Sequence, residues 1–418
     1  MAQLRITGGK PLKGKIQVAG NKNSVLPLMA ASLVVDGPVT LTNVPNIRDV
    51  VLMAEIINGL GVEVKGVGTN KLVIDPTGLS SWEPNPELVC KFRGSVLLIA
   101  PLLARFGKVR ISTPGGDSIG ERILDTHFKL LSAFGISTKE INGEYELKGR
   151  VKQTSLFLDE ASVTATEIGL IIAATLPGKT VIEDAAAEPH VQDLALFLAK
   201  AGATIAGSGT NTLSIQGKKN LSSVTHRVRD DHIEVGTFAI AAAVTGGHVQ
   251  IIGAHEEDLK MTLAYLSHMG VEWKIKDNLL EILPSELVAT RKTFQTRPWP
   301  GFPTDLMSHF IVLATQTKGT VLCHDWMFEW RIFFVDHLIR MGANITIADP
   351  HRIIVTGPTK LHAEVIPTTD IRAGAALVLA ALAARGESTI EHVEIIERGY
   401  ENLEGRLIKL GAEIEKVE

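Results

Sequence analysis

The chain has 418 residues, 45% apolar and 21% charged, enough for two domains and far too apolar for a disordered chain. Its formal net charge of −4 offers no basic field to duplex or single-stranded nucleic acid, and no apolar run approaches the roughly 18 residues a membrane-spanning helix needs. The opening Met-Ala-Gln-Leu-Arg-Ile has no signal-peptide core, and Cys90 and Cys323 are too few for a disulfide framework or a thiolate zinc site, so a cytoplasmic chain with two buried cysteines is expected.

Taken in chain order, the predicted elements recur six times. An apolar residue, a glycine and a short alternating strand appear at Leu60-Gly61-Val62, Phe134-Gly135-Ile136, Ala201-Gly202-Ala203, Met269-Gly270-Val271, Met341-Gly342-Ala343 and Leu410-Gly411-Ala412, with the glycines 74, 67, 68, 72 and 69 residues apart. A second series interleaves with it at Gly37, Gly107, Gly178, Gly247, Gly319 and Gly386, spaced 70, 71, 69, 72 and 67 residues. Each unit of about 70 residues reads as an apolar helix closed by glycine, a strand, an amphipathic helix closed by glycine, and further alternating strands. The first helix, as in Ala375-Ala376-Leu377-Val378-Leu379, is apolar on all sides and is expected to be buried; the second, as in Asp49 to Leu60, is expected to lie outside. Solenoid repeats run to about 20 to 50 residues, so six longer units are expected to fold as three plus three.

Polar clusters interrupt this pattern where the buried helices begin. Lys22-Asn23 opens one, Arg93 another, Asp231 and Glu234 sit on a third, Asp305 follows Phe302-Pro303-Thr304, and Asp370 with Arg372 precedes the last. A helix start presents unpaired N–H groups and about half a positive charge, which suits a phosphate. Any one such residue is more often a solvated charge than a ligand, but equivalent positions in successive repeats argue for a shared site.

The segments Gly20-Asn21-Lys22-Asn23 with Leu26-Pro27, Pro114-Gly115-Gly116-Asp117-Ser118-Ile119-Gly120-Glu121-Arg122, Glu188-Pro189, Phe302-Pro303-Thr304-Asp305, Asp370-Ile371-Arg372-Ala373 and Arg398-Gly399-Tyr400 carry a resemblance over essentially the whole chain. It resembles the UDP-N-acetylglucosamine 1-carboxyvinyltransferases, which begin peptidoglycan precursor synthesis. The sister family acting on shikimate 3-phosphate opens with Ser-Lys-Ser, where this chain has Asn-Lys-Asn-Ser. The resemblance implies an inside-out α/β barrel of two domains, each of three repeat units. One would span 22–229, with a mobile loop near 112–123, and the other 1–21 plus 230–418.

It also implies a reaction without redox cofactor. The 3-hydroxyl of the sugar adds to phosphoenolpyruvate, the methylene is protonated, and phosphate leaves from a tetrahedral ketal. Lys22, Arg122 and Arg398 would hold the small, highly charged donor, with Arg93, Arg331 and Arg372 as further cations, although for Arg331 and Arg372 a structural salt bridge is an equal reading. Asp305 would be the general base on the acceptor hydroxyl. Asn23, Arg93, Arg122, Ile123, Leu124, Asp125, Ser162, Val163, Thr304, Asp305 and Met327 would bind the nucleotide sugar. Asp117 stands where many relatives have the cysteine that fosfomycin alkylates. An aspartate of pKa about 3.9 holds a proton in roughly one molecule in a thousand at neutral pH, so service as a general acid requires the closing loop to desolvate it; the other reading is an ionised loop aspartate.

Several positions depart from the resemblance. Glu160 stands where a lysine usually meets the diphosphate, Thr164 where a glycine is usual, and Ile123 and Thr126 replace proline and leucine. Trp330 replaces asparagine, to stack on a ring or, as expected, to pack. These changes leave open transfer to another nucleoside or nucleotide sugar, or a ligand-binding protein without catalysis. The 13 histidines form no recognisable metal pair, and Gly207-Ser208-Gly209 lacks the third glycine of a dinucleotide fingerprint, with Thr212 in its place, so neither a metal nor a nucleotide cofactor is expected.

Overall fold

The structure is a computed structural model describing residues 2–116, 119–120 and 123–417. Six central helices mark the repeats: Lys22–Ala31, Ile99–Phe106, entered through the 3-10 turn Arg93–Leu98, then Val163–Ala174, His232–Val244, Met307–Gln316 and Ile371–Ala383. A helix with apolar side chains around its whole circumference offers water no face, so it occupies the centre of a layered structure. Leu28, Ile171, Ala241, Ile311 and Leu379 are accordingly fully buried. The second helix of a repeat has one apolar face: Arg48–Gly59 buries Met53, Ile56 and Ile57 and exposes Glu55 and Asn58.

The glycine markers have a backbone cause. All six of the first series have positive φ, from 82° at Gly270 to 117° at Gly202, a region where a Cβ is strained, and they turn the chain out of the outer helix. The second series corrects the expectation of glycine-closed central helices. Only Gly107 is the left-handed cap of one; the others end at Ser32, Thr175, Thr245, Thr317 and Ala384. The hydroxyls of Ser32, Thr175, Thr245 and Thr317 donate back to carbonyls of their own last turn at 2.7–2.8 Å, satisfying acceptors that a glycine leaves open.

Each repeat also contributes a small sheet of constant order. In the third, Ser155–Phe157 lies parallel to Gly178–Glu183, which pairs antiparallel with Thr212–Gly217, and that strand with Thr204–Ala206. Four other sheets repeat this order, and Lys108–Ser112, Glu144–Lys148 and Ser137–Ile141 form a three-stranded version. Strand Gln3–Thr7 fills the third place in the last sheet, between Glu387–Glu391 and Glu413–Val417.

Among the described residues, 20–116 with 123–229 form one compact unit and 2–19, 119–120 and 230–417 the other. Two strand exchanges accompany this division. Lys13–Gln17 leads to the first central helix yet pairs with His248–Ile252, while Thr225–Arg227 leads to the fourth yet pairs with Val39–Thr42. Within each unit three central helices pack on one another inside three sheets, each around its own hydrophobic core, which is the inside-out α/β barrel. No helix among the described residues is long and apolar enough to cross a membrane. Cys323 is buried, but Cys90 is exposed, contrary to expectation, because it ends a one-turn surface helix, Pro86–Val89.

Candidate active site

Three central helices are capped by their own sequence. Asn21 Oδ1 accepts from Ser24 N at 3.0 Å, Asp231 Oδ1 from Ile233 N at 2.8 Å, and Asp370 Oδ1 from Arg372 N and Ala373 N at 2.9 Å. The other three enter without a side-chain cap, through Phe92, Ser162 and Pro303. Arg93, Ser162 with Val163, and Thr304 with Asp305 stand at those uncapped entries, where backbone N–H groups have no side-chain acceptor of their own.

In the unit containing residues 230–417, Asp305 is the centre of a charged cluster. Arg331 Nη1 donates to its Oδ1 at 3.1 Å, and Arg372 Nε and Nη2 donate to its Oδ2 at 3.1 and 2.9 Å. The carboxylate is 24% exposed, whereas the Arg331 and Arg372 side chains are 5% and 7% exposed. Asp325, fully buried, braces the group: it accepts from Thr304 Oγ1 at 2.7 Å, Thr296 Oγ1 at 3.0 Å and Met327 N at 3.1 Å, and lies 4.0 Å from Arg331 Nε. Arg331 Nη1 also donates to the Thr304 carbonyl at 3.2 Å. Of the residues singled out in the sequence, Thr304, Asp305, Arg331 and Arg372 thus lie together, with Met327 on Asp325; Asp325 itself was missed, since a lone Asp after a strand gives no signal. Arg398 is half-buried in the turn after a short helix, Val393–Ile396. Trp330 is 54% exposed, which corrects the expectation that it packs: it lies on the chain segment leading to the outer helix, and its backbone N–H donates to the Ile119 carbonyl at 3.3 Å.

Behind Arg372 the core is polar but neutral. Its guanidinium lies 5.2 Å from the Tyr400 ring centre, and the Tyr400 hydroxyl is 3.0 Å from Thr237 Oγ1 and 3.2 Å from His309 Nε2. Burial, reinforced by the Arg372 charge, lowers the His309 pKa to about 3, so the imidazole is neutral at physiological pH. Burial likewise pushes Tyr400 up to about 12. Burial opposes the charge on Arg372, but Asp305, Tyr400 and Asp231 outweigh it and raise its pKa further. Burial, with Glu234 adding like-charge repulsion, pushes Asp231 up to about 6 against the pull of Arg372. Glu234 itself is held by Arg406 Nη1 at 2.7 Å and Ala19 N at 2.8 Å.

The other unit holds Lys22 at the first residue of its helix, with Nζ 2.7 Å from Asp49 Oδ2. Asn23 beside it is half-buried. Arg93 Nη2 donates to the Ile123 carbonyl at 3.2 Å, joining the second central helix to the stretch predicted to meet the nucleotide; there Ile123 is 63% exposed, Leu124 buried and Asp125 exposed. Ser162 and Val163 are half-buried. Two of the departures at this end are bonded to each other, Thr126 Oγ1 donating to Glu160 Oε1 at 3.0 Å, and a third, Thr164, has its Oγ1 2.7 Å from His127 Nε2. Asp117 and Arg122 lie outside the described residues. Among the described residues no three His, Cys, Asp or Glu side chains are grouped to hold a metal ion.

The family model for EPSP synthase (3-phosphoshikimate 1-carboxyvinyltransferase) matches residues 6–407. The chain is 43% identical to the UDP-N-acetylglucosamine 1-carboxyvinyltransferase of Bradyrhizobium diazoefficiens over 99% of this chain and 98% of that one. It is 41% identical to the protein of the same name from Treponema denticola over 99% of each. The chain belongs to the UDP-N-acetylglucosamine 1-carboxyvinyltransferases, within the EPSP synthase family. Its fold is also similar to the enolpyruvyl transferase NikO from Streptomyces tendae, with a TM-score of 0.89 and 25% identity over 100% of this chain and 99% of that one. In this member of the UDP-N-acetylglucosamine 1-carboxyvinyltransferases, the second residue that sequence reasoning passed over is Asp49. In the sequence it marks only the start of an amphipathic helix, yet it is 2% exposed and faces Lys22.

Proposed function

We propose that this protein transfers the enolpyruvyl group of phosphoenolpyruvate to the 3-hydroxyl of UDP-N-acetylglucosamine, releasing phosphate, in the cytoplasm, as the first committed step of peptidoglycan precursor synthesis. The observation that carries the reading is the state of Asp305. Its carboxylate is oriented by two buried guanidiniums while remaining a quarter exposed, so a hydroxyl arriving from solvent meets the carboxylate before either cation. This accessibility supports the role of general base proposed for it, the guanidiniums fixing its orientation. Lys22, Arg93, Arg122, Arg331, Arg372 and Arg398 supply the positive charge for the donor and the departing phosphate; Asp117 gives a proton to the methylene in the addition, and the resulting methyl loses a proton as phosphate leaves, restoring the vinyl group. Asn23, Ile123, Leu124, Asp125, Ser162, Val163, Thr304 and Met327, with Arg93 and Arg122, bind the acceptor. The uncapped start of the third central helix supports diphosphate binding at Ser162 and Val163 by backbone N–H groups. The partners are these two substrates alone, without nucleic acid or membrane.

The Thr126–Glu160 bond favours a second reading, transfer to another nucleoside or nucleotide sugar, because a carboxylate anchored there repels a diphosphate in that place. Phosphate release from phosphoenolpyruvate and UDP-N-acetylglucosamine, with mass spectrometry of the sugar nucleotide, decides between them. A product heavier by one carboxyvinyl group is expected. Phosphate released only with other acceptors would favour the second reading, and none with any acceptor would sink both.

A further inference from the structure

The same two positions of the repeat meet in both units, with their charges exchanged. Lys22 opens the first central helix, and Asp49, 27 residues on, lies in the first turn of the outer helix; Asp305 stands at the entry to the fifth, and Arg331, 26 residues on, leads into its outer helix. Both pairs are in contact, Lys22 Nζ with Asp49 Oδ2 at 2.7 Å and Arg331 Nη1 with Asp305 Oδ1 at 3.1 Å. Burial is asymmetric in the same direction. The outer-helix partners, Asp49 and Arg331, are 2% and 5% exposed, while the central-helix residues, Lys22 and Asp305, are 13% and 24% exposed. In each pair, then, the residue that reaches solvent is backed by an opposite charge that does not.

An isolated buried carboxylate is costly, and Asp49 is tolerated with a cation against it. Lysine needs such a partner more than arginine does, because its ammonium sits on a flexible four-carbon stem. An ammonium carries three N–H donors, more than one carboxylate oxygen can take. We infer that Asp49 is a positioning residue for Lys22, holding the ammonium at the helix start for the anionic donor as Arg331 holds Asp305 for the acceptor. The inference rests on the reading above that gives phosphoenolpyruvate to Lys22.

The test is a double-mutant cycle on the full chain. Asp49→Asn keeps the size and an acceptor oxygen but removes the charge, and Asp49→Ala removes both. The KM for phosphoenolpyruvate rises about tenfold in Asp49→Asn and further in Asp49→Ala, while the KM for the sugar nucleotide stays within about twofold of wild type. If Asp49 acts through Lys22, the double variant Lys22→Ala/Asp49→Asn is no worse than Lys22→Ala alone. Losses that multiply, or both KM values rising together with a lower melting temperature, would overturn the inference and leave Asp49 a purely structural residue. Should the wild type release no phosphate from any acceptor, the functional reading fails by itself. The cycle is then read from phosphoenolpyruvate affinity by calorimetry, where an affinity untouched by Asp49→Asn overturns the positioning role and one lowered equally by Lys22→Ala and the double variant supports it.

Discussion

The starts of the first and fifth central helices occupy equivalent places in the repeat, yet one presents a cation and the other an anion. Lys22 has one buried carboxylate behind it, whereas Asp305 has two buried guanidiniums around it. The backbone is the same in kind: an apolar helix, a strand, and an outer helix whose entry returns to the start of the central one. The repeat therefore supplies a paired slot, and side-chain choice sets its sign. The proposed reaction, which binds a highly charged donor and takes a proton from a neutral hydroxyl, needs both signs, and on that proposal one fold element used twice would provide them.

Removing the anion should have the largest effect. Asp305→Asn leaves Arg331 and Arg372 without their carboxylate and the acceptor hydroxyl without its base, so kcat falls by about 10²–10⁴. Steady-state phosphate release checks this, and a loss under tenfold would mean that Asp305 is only a structural partner. Exchanging the charges of the other slot breaks the comparison more directly. Lys22→Asp or Asp49→Lys alone places like charges together in a nearly buried site and costs about 3 kcal/mol, measured by urea unfolding. The double exchange restores an ion pair and recovers most of that stability, but phosphoenolpyruvate turnover stays lost, because the solvent-reaching member is now an anion.

The fourth central helix offers a third case, a carboxylate backed by another carboxylate. Burial and Glu234 push Asp231 up to about 6 from 3.8. A raised carboxylate pKa means that the folded state binds the proton more tightly than the unfolded state, so stability is fully present near pH 4 and falls as pH rises to about 6. Asp231→Asn keeps the cap and escapes this cost. Its stability relative to wild type therefore improves by about 3 kcal/mol between pH 4 and 6 and is level above that. His309 works in the opposite sense: its pKa is lowered to about 3, so its contribution is present above 6.5 and lost as pH falls. The wild-type curve mixes the two, and only the difference between variant and wild type isolates Asp231. A flat difference would sink the assignment.

The fold was legible because its signals are periodic. Apolar helices without a polar face and glycines forced into positive φ repeat at a near-constant interval, and these are properties of local sequence. The site was legible where chemistry-bearing residues interrupt that period, as at Lys22, Asp305 and Arg372. Asp49 and Asp325 were missed for different reasons. Asp49 sits in an amphipathic helix where an acidic first-turn residue is ordinary, and only the contact across the repeat shows its partner. Asp325 acquires meaning from Thr296, Thr304 and Arg331, which come from separate segments that only the folded chain assembles. Trp330 and Cys90 were misplaced because an apolar side chain in a sequence does not disclose whether its segment runs over the surface.

The smallest expected effect is none, and it tests the departure from the relatives at residue 117, where an aspartate stands in place of a cysteine. Fosfomycin acts in relatives by alkylating a thiol at that position, and a carboxylate there offers no thiolate nucleophile. Incubation with fosfomycin and UDP-N-acetylglucosamine should leave the mass of the protein unchanged and its phosphate release undiminished once the fosfomycin is removed. Because Cys90 is exposed, an intact-mass gain alone does not decide the matter, and peptide mapping must place any adduct. A label on Cys90 would report ordinary surface reactivity, whereas a stable label on the peptide containing residue 117 would overturn the prediction. Asp117→Cys supplies the positive control: if the surrounding donors still bind the phosphonate as they bind the donor's phosphate, that single exchange confers inactivation, and resistance then rests on the nucleophile rather than on a failure to bind.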